Sequence, residues 1–240
     1  DRLIGSVHTW IVKTGHLTIL IDTCLGNHKQ RHNAGWNNLN TPFLNRLRAC
    51  NCPPEEVDLV MCTHLHVDHV GWNTQLIDGR WVPTFPNAKY LFAKREYGHW
   101  EAERKITAKV NDGSFDDSVL PIVEAGKAVM IESDYQTPDG LLTIKDYPGH
   151  TPGSIAINLD DNGHRACFSG DIMHHPIQGY QPDWSSQFCW DQAMSAISRR
   201  KLLEDCVESN ALLCPAHFPG ANAGYVKPDG NSFKIDWDRP

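Results

Sequence analysis

The sequence predicts an α/β fold, in which strands and helices alternate along a chain of 240 residues. Apolar residues make up 40% of the composition, which is enough to bury a substantial core. Residues 57–62 (VDLVMC) form a short, almost continuously apolar run, as expected of a strand buried on both faces. Histidines and aspartates recur directly after such strands, where layered α/β folds place ligands and catalysts. The length fits one domain, residues 1–240, with two halves of roughly 1–135 and 136–240.

Apolar patterning in the first half predicts strands at 6–12, 16–22, 57–62 and 88–93 and a helix at 96–104. The first two strands meet around Thr14-Gly15, a hairpin signal. Thr41 and Pro42 precede an apolar segment and predict a capped helix start with proline in the first turn. Residues 105–139 are polar and contain Asp-Gly and Pro, which predicts an irregular flap or connecting segment.

The second half shows the same alternation of strands and helices, with predicted strands at 141–147, 155–159, 165–169 and 211–214. Residues 190–207 are predicted to form a helix. Ala193, Met194 and Ile197 would lie on one face of it.

Four motifs follow predicted strands, each at its carboxyl end. They are THLHVDHVG from Thr63, PGHTPGS from Pro148, SGD from Ser169 and PAHFPG from Pro215. Each carries a histidine or aspartate just beyond its strand. Loops at this edge can approach one another although they are distant in the chain.

The strongest single signal is His64-Leu65-His66-Val67-Asp68-His69, which holds four metal-binding side chains within six residues. Imidazole suits zinc, iron, nickel and related ions, and carboxylate supplies compensating charge. His64 and His66 are two residues apart, so an extended backbone lets them chelate one ion. Asp68 and His69 follow a turn and can face a second ion. Gly71 then allows another chain segment to pass closely.

Charge and composition exclude several classes of partner. The net charge is −7 and no block of Lys and Arg occurs, which argues against a nucleic-acid substrate. No apolar run reaches 18 residues, so no membrane span is predicted. None of the eight cysteines forms a CxxC pair, and Cys62, Cys167 and Cys214 lie in predicted strands. Reduced, buried thiols of this kind predict a cytoplasmic location.

Taken together, HxHxDH, GHTPGS, SGD and a late strand-end histidine resemble the ordered motifs of the metallo-β-lactamase-fold hydrolases. Residues 21–27 (IDTCLGN) are similar to the early Asp-Thr-Gly motif of that family, with Cys24 where glycine is common. The resemblance covers roughly residues 7–220. It implies a four-layer αββα sandwich with a dinuclear metal site at the edge between two β-sheets.

The resemblance also implies the metal ligands. One ion would be bound by His64, His66 and His150, and the other by Asp68, His69 and His217. Asp171 would bridge the two ions. Asp22 would orient the ligand loop without binding metal. Zinc is the first expectation for the two divalent ions, and manganese, iron, cobalt or nickel would also suit the donors.

Two neighbouring cations lower the pKa of a water molecule between them, so that a bridging hydroxide can attack a lactone or ester carbonyl near neutral pH. Asp68 could orient this hydroxide and accept its proton. In lactonases of this superfamily a tyrosine stands three positions after the bridging aspartate and donates a hydrogen bond to the substrate. His174 occupies that position here and is predicted to serve instead.

Aromatic residues flank the motifs and predict an apolar pocket for a small-molecule substrate with an acyl or aryl part. These residues are Trp72, Trp184, Phe188, Trp190 and Phe218. The segments VDLVMCTHLHVDHVGW, FPNAKYLF and YPGHTPGS resemble the lactonase and methyl-parathion-hydrolase branch. The leading expectation is therefore a lactone or ester hydrolase with secondary phosphotriester activity, and a homodimer is compatible with that branch.

Several alternatives stay open from the sequence. A glyoxalase II-like thioesterase would need a cationic cluster, for which only Lys227 and Lys234 are candidates. His66 argues against the diiron redox relatives, which carry Glu there, but leaves a mononuclear-iron persulfide dioxygenase open. A β-lactamase and a non-catalytic metal-binding protein are the remaining alternatives.

Overall fold

The computed structural model describes residues 3–237, which form two compact units. Residues 8–131 make the N-terminal unit. Residues 132–237, together with residues 3–7, make the C-terminal unit. The units divide after Ile131, close to the predicted boundary near residue 135. That both halves act as one domain stays a prediction.

The N-terminal unit contains a five-stranded sheet in the order β1-β2-β3-β6-β7 and a separate two-stranded ribbon, β4-β5. The strands are β1 (Trp10–Lys13), β2 (Thr18–Ile21), β3 (Leu59–Met61), β4 (Thr74–Ile77), β5 (Arg80–Pro83), β6 (Lys89–Ala93) and β7 (Ala128–Ile131). β1 and β2 are antiparallel, and β2, β3, β6 and β7 are parallel neighbours. The carboxyl ends of β2 and β3 therefore lie side by side, with Ile21 opposite Met61.

The helices of this unit connect and cover its strands. They are α1 (Phe43–Ala49), α2 (Val67–Val70), α3 (Lys94–Ile106) and α4 (Leu120–Glu124), with 3₁₀ turns at Pro54–Glu56, Gly71–Asn73 and Val110–Gly113 and a π-helical turn at Phe115–Val119. Leu20, Val60 and Phe92 belong to one buried apolar cluster that includes residues from the helical segments. All three residues of β3 are buried, as the apolar run predicted.

The C-terminal unit contains a six-stranded sheet in the order β13-β12-β11-β10-β9-β8. The strands are β8 (Leu142–Asp146), β9 (Ile155–Asp161), β10 (His164–Gly170), β11 (Leu212–Pro215), β12 (Gly224–Asp229) and β13 (Ser232–Asp236), and the helices are α5 (Ile177–Tyr180) and α6 (Gln192–Ser209). β8 and β10 are each antiparallel to β9, and β10 is parallel to β11. The carboxyl ends of β8, β10 and β11 therefore point to the same edge of the sheet.

The predicted irregular character of residues 105–139 was wrong, because this segment contains helical turns, α4 and β7. Phe115, Val119 and Ile122 are fully or almost fully buried. They are spaced at i, i+4 and i+7, which is a helical apolar stripe. The Asp-Gly and Pro residues concealed this stripe in the sequence.

Ala193, Met194 and Ile197 do not mark the buried face of α6. Ile197 is 71% exposed, whereas Ser198 and Arg199 are buried. Arg199 is accommodated because its guanidinium donates to the carbonyl oxygens of Ile172 and Pro182. A buried cation is tolerated when its donors are satisfied, and an apolar pattern does not reveal that arrangement.

Thr41 does not cap α1 as predicted. The N-cap residue is Pro42, and no side chain caps the helix. The Thr41 hydroxyl and backbone N–H both donate to the side-chain oxygen of Asn27 instead. Within residues 3–237, no helix is long and apolar enough to cross a membrane.

Candidate metal centre

The histidine-rich loop of the N-terminal unit begins where β3 ends. His64 and His66 precede α2, and Asp68 and His69 lie in its single turn. His64 Nε2 and His66 Nδ1 are 3.1 Å apart. His69 Nε2 lies 3.7 Å from a carboxylate oxygen of Asp68. The loop thus forms two donor pairs, one from each side of the turn.

Asp22 holds this loop from the neighbouring strand end. Its carboxylate accepts the Thr63 backbone N–H and the Thr63 hydroxyl, each at 2.8 Å. It also lies 2.9 Å from His69 Nδ1. Asp22 is 3% exposed, so these contacts are shielded from water. The carboxylate fixes the His69 ring with Nδ1 inward, which leaves Nε2 as the ligand atom.

His64 is oriented by the same network. The Thr63 hydroxyl donates to Asp22, so its oxygen can accept from His64 Nδ1, 3.1 Å away. This contact fixes the tautomer with the lone pair on Nε2. A carboxylate therefore acts on two histidines of the loop, one directly and one through a hydroxyl.

Gly71 closes the loop against residues 24–26. Its N–H donates to the carbonyl oxygen of Cys24 at 2.7 Å. A Cβ atom at Gly71 would lie 1.9 Å from the carbonyl carbon of Leu25. Only glycine fits this crossing of two backbones.

In the C-terminal unit the corresponding residues lie beyond three different strands. His150 follows β8, Asp171 directly follows β10 and His217 follows β11. One oxygen of Asp171 is 3.3 Å from His150 Nε2. The other oxygen is 3.0 Å from His217 Nε2. The carboxylate therefore stands between the two histidines and faces each with a different oxygen.

The outer nitrogens of these histidines also have partners. His217 Nδ1 lies 2.7 Å from the carbonyl oxygen of Ser6, which can only accept. His150 Nδ1 lies 3.7 Å from Cys189 Sγ, and the Cys189 thiol donates to the Ser195 hydroxyl. Burial raises the pKa of Cys189, which keeps it a neutral thiol. Both histidines thus direct Nε2 towards Asp171.

These donor sets fit a divalent metal ion. Two ligand atoms at ~2.0–2.1 Å from a tetrahedral ion are separated by ~3.3 Å. The pairs within the C-terminal unit are 3.0 and 3.3 Å apart, and His64 and His66 present nitrogens 3.1 Å apart. Imidazole nitrogen with carboxylate oxygen is a typical donor set for zinc and related ions. The rings of His64, His69 and His217 are also oriented by contacts at Nδ1.

Comparison with protein families matches residues 3–226 to the model of the metallo-beta-lactamase superfamily. The chain belongs to this superfamily. The predicted family and its mixed α/β fold class are confirmed, and so is the coarser prediction of a superfamily hydrolase with His/Asp metal-binding groups. No curated protein sequence matches the chain significantly.

Three solved structures illustrate the fold. A hydrolase named AbOPH, of the beta-lactamase superfamily, is 23% identical, with 97% of this chain and 79% of that chain covered and a TM-score of 0.81. AidC, a dizinc quorum-quenching lactonase, is 20% identical, with 96% and 79% covered and a TM-score of 0.76. A probable metal-dependent hydrolase from Staphylococcus aureus is 19% identical, with 96% and 82% covered and a TM-score of 0.78. At these identities the likeness shows the fold alone.

His174 lies beside the ligands of the C-terminal unit of this superfamily member. Its Nε2 is 3.3 Å from the Asp171 oxygen that faces His150. Its ring is parallel to that of His217, with centroids 5.9 Å apart. The side chain is 20% exposed, but both of its ring nitrogens are buried. Its predicted contact with substrate stays a prediction.

The five predicted pocket aromatics fall into two groups. Trp72 and Phe218 are buried; Trp72 stacks on Phe43, and Phe218 belongs to the core of the C-terminal unit. Trp184, Phe188 and Trp190 are each more than half exposed. The loop that carries them is joined to the His150 loop, because the Trp190 N–H donates to the His150 carbonyl oxygen at 2.9 Å. The role of all five in binding substrate stays a prediction.

Sequence reasoning missed several residues that orient the ligands. Thr63 was seen only as the start of the motif, although a hydroxyl next to His64 is a recognisable signal. Ser6 acts through its backbone carbonyl oxygen, which no side-chain pattern can reveal. Cys189 was treated as an ordinary thiol, and nothing in the sequence relates it to His150.

Proposed function

We propose that the chain is a dinuclear metal-dependent hydrolase that opens lactones or cleaves esters, with secondary activity on phosphotriesters. The observation that carries the proposal is the position of Asp171. Its two oxygens face His150 and His217 separately, at 3.3 and 3.0 Å. A carboxylate with this arrangement can bind two ions at once. The family resemblance assigns these two histidines to different ions.

The proposed ligand sets follow the motifs of the superfamily. His64, His66 and His150 would hold one ion, and Asp68, His69 and His217 would hold the other, with Asp171 shared. Within each unit the donors already have the separations that a common ion requires. The match to the superfamily includes both sets of motifs. Zinc is the first candidate, and manganese, iron, cobalt and nickel suit the same donors.

When bound, two such ions lower the pKa of water and polarise a substrate carbonyl. The side chains of the chain supply position and proton transfer. Asp68 places a carboxylate oxygen 3.7 Å from His69 Nε2, and its carboxylate would accept a proton from the attacking water. His174 can donate an N–H to the substrate oxygen from its position beside Asp171. Asp22 would hold the histidine loop in place through its contacts with Thr63 and His69.

The surface of the C-terminal unit supports a substrate with an apolar part. Trp184, Phe188 and Trp190 expose large aromatic surfaces on a loop tied to His150. Such surfaces bind acyl or aryl groups well. One solved structure of the same fold is described as an N-acyl homoserine lactone hydrolase with the product N-hexanoyl-L-homoserine at its catalytic metal center. An acyl lactone is therefore the first substrate to test.

The test is hydrolysis of a medium-chain acyl lactone by the zinc- or manganese-loaded chain, beside a His66→Ala variant. We expect metal-dependent ring opening in the wild-type chain and almost none in the variant. Absence of ring opening with metal verified as bound would reject the lactone class. Glutathione thioesters, sulfur-dependent oxygen consumption and phosphotriesters would then be assayed in turn.

A homodimer and a cytoplasmic location stay predictions from the sequence.

A further inference from the structure

The backbone around His66 is held by side chains outside the metal-binding motif. His66 is extended, with φ −64° and ψ 157°, and it is the last residue before α2. Its backbone conformation determines where its ring lies relative to His64. His66 Nδ1 is 3.1 Å from His64 Nε2. The peptide groups on either side of His66 are therefore the points at which its position can be controlled.

Asn111 binds both of these peptide groups with one side-chain amide. Its NH₂ group donates to the carbonyl oxygen of Leu65. Its carbonyl oxygen accepts the N–H of Val67 at 3.2 Å. In an extended chain, the C=O of residue i and the N–H of residue i+2 point to the same side of the backbone. The amide thus bonds to the peptide groups on both sides of His66, as a neighbouring strand would, and restrains both dihedral angles of that residue.

Glu96 completes the hold on this segment. Its carboxylate accepts the N–H of Leu65 at 3.0 Å and the indole N–H of Trp100 at 2.6 Å. Glu96 is fully buried, so water does not compete for these contacts. The ring of Trp100 meets that of His66 in an edge-on arrangement, with centroids 5.4 Å apart.

Asn111 is itself suited to this place. It lies in the 3₁₀ turn Val110–Gly113 with φ 53° and ψ 44°, a left-handed conformation that asparagine tolerates well. Its backbone carbonyl oxygen accepts the Ser114 hydroxyl at 2.8 Å, which stabilises the turn. The amide is therefore presented to the His66 segment by an ordered turn.

We propose that Asn111 is a positioning residue that sets the geometry of His66 and thereby the affinity of the ion that His66 binds. The inference rests on the proposed dinuclear site. Metal ligands must be held within about 0.5 Å of their productive positions, and removing residues that orient them weakens metal binding by about 10- to 100-fold. Asn111 acts through the backbone of the ligand and touches neither metal nor substrate.

The test compares Asn111→Gly with Asn51→Gly in the full-length chain. Glycine keeps the left-handed backbone at both positions and removes only the side chain; Asn51 has φ 54° and is exposed. Zinc affinity is measured by competition with a chromogenic chelator, and cobalt absorption reports the coordination geometry. We expect two zinc-binding steps in the wild-type chain. In Asn111→Gly, one step should weaken about 10-fold or more, with an altered cobalt spectrum.

Equal affinities for both steps in Asn111→Gly and Asn51→Gly would overturn the inference, as would equal weakening of both steps. If the glycine variant does not fold, Asn111→Ser serves instead, because serine is too short to reach both peptide groups. The same selective loss is expected there, and wild-type affinities in that variant would again overturn the inference. A wild-type chain that binds no zinc would contradict the proposed function itself.

Discussion

The two units supply the proposed metal ligands in different ways. The N-terminal unit carries four of them within six consecutive residues, His64 to His69, after a single strand. The C-terminal unit carries His150, Asp171 and His217 after three strands whose carboxyl ends share one edge of the sheet. The residues of the first set are close because they are neighbours in the sequence. The residues of the second set share one edge because of the order and direction of the strands.

This difference determines what each set needs from its surroundings. A short loop with four ligands has no strand to stiffen it, and its backbone is held by Asp22, Glu96 and Asn111. The ligands of the C-terminal unit are anchored by their strands, and their rings need only small contacts from Ser6 and Cys189. Side chains that position the proposed ligands should therefore matter more for metal binding in the N-terminal unit. In the C-terminal unit, the Asp171 carboxylate should matter more.

The largest expected effect is that of Asp171→Ala. This substitution removes the oxygens that face His150 and His217 and leaves both histidines without the carboxylate between them. We expect the loss of at least one ion and a fall in kcat of about 10³-fold or more, since the metal sites supply most of the charge stabilisation. Metal analysis and lactone turnover check this, with the exposed Asp183→Ala as control. Full activity would exclude Asp171 from the centre.

His174→Phe separates substrate contact from metal binding within the same unit. The ring stacks on His217 and can be replaced by phenyl with little loss of packing. We expect unchanged metal content and a fall in kcat of about 10²-fold, the usual cost of one lost transition-state hydrogen bond. Steady-state kinetics of lactone opening beside His164→Phe, an exposed histidine on β10, provides the measurement. Unchanged lactone kinetics would remove His174 from the mechanism.

Asp22→Asn tests the support of the N-terminal loop. The amide cannot accept from the Thr63 N–H, the Thr63 hydroxyl and His69 Nδ1 together. We expect zinc affinity to fall by about 10- to 100-fold. Asp58→Asn is the matched control, because Asp58 also accepts a backbone N–H but from Thr18, at an exposed position. Equal affinities in both variants would mean that the loop holds its geometry alone.

Two buried groups, one in each unit, should also respond oppositely to alkali. Burial lowers the pKa of Lys29 in the N-terminal unit to about 8, and burial raises that of Cys214 in the C-terminal unit to about 12. Between pH 8 and 10.5 an unfolded Lys29 keeps a proton that the folded chain has released, so its contribution to stability rises with pH. Cys214 stabilises the fold below pH 9, and this contribution is lost as pH rises towards 12.

Denaturant unfolding at several pH values checks this in wild type, Lys29→Met and Cys214→Ala. From pH 8 to 10.5 the wild-type chain should gain about 1–3 kcal/mol relative to Lys29→Met. Relative to Cys214→Ala it should lose stability above pH 9. Parallel pH profiles in all three chains would contradict the assigned ionisation of both groups.

The sequence predicted the strands and turns that are determined by residues close together in the chain. The apolar run before Thr63, the hairpin around Gly15 and the strands before each motif appear in the structure with boundaries shifted by a few residues. The fold class could be predicted because the motifs occur in a family-specific order. The hairpin β12–β13 escaped notice although Asp229-Gly230 is a turn signal, with φ 62° at Gly230.

Contacts between distant parts of a unit could not be predicted. Asn111 lies 44 residues from Val67, and Ser6 lies 211 residues from His217. Arg199 fills a buried position because backbone carbonyl oxygens happen to surround it. Such pairings depend on where loops meet after folding, and single residue types do not encode them.

We propose that the ligands of the His64–His69 loop and those beyond the strands of the C-terminal unit together bind two ions. The most direct test is the number of zinc ions retained per chain after equilibration at defined free zinc, in wild type, His66→Ala and His217→Ala. The account predicts two ions in the wild-type chain and one in each variant. A wild-type chain that saturates with one ion, or variants that both retain two, would contradict it.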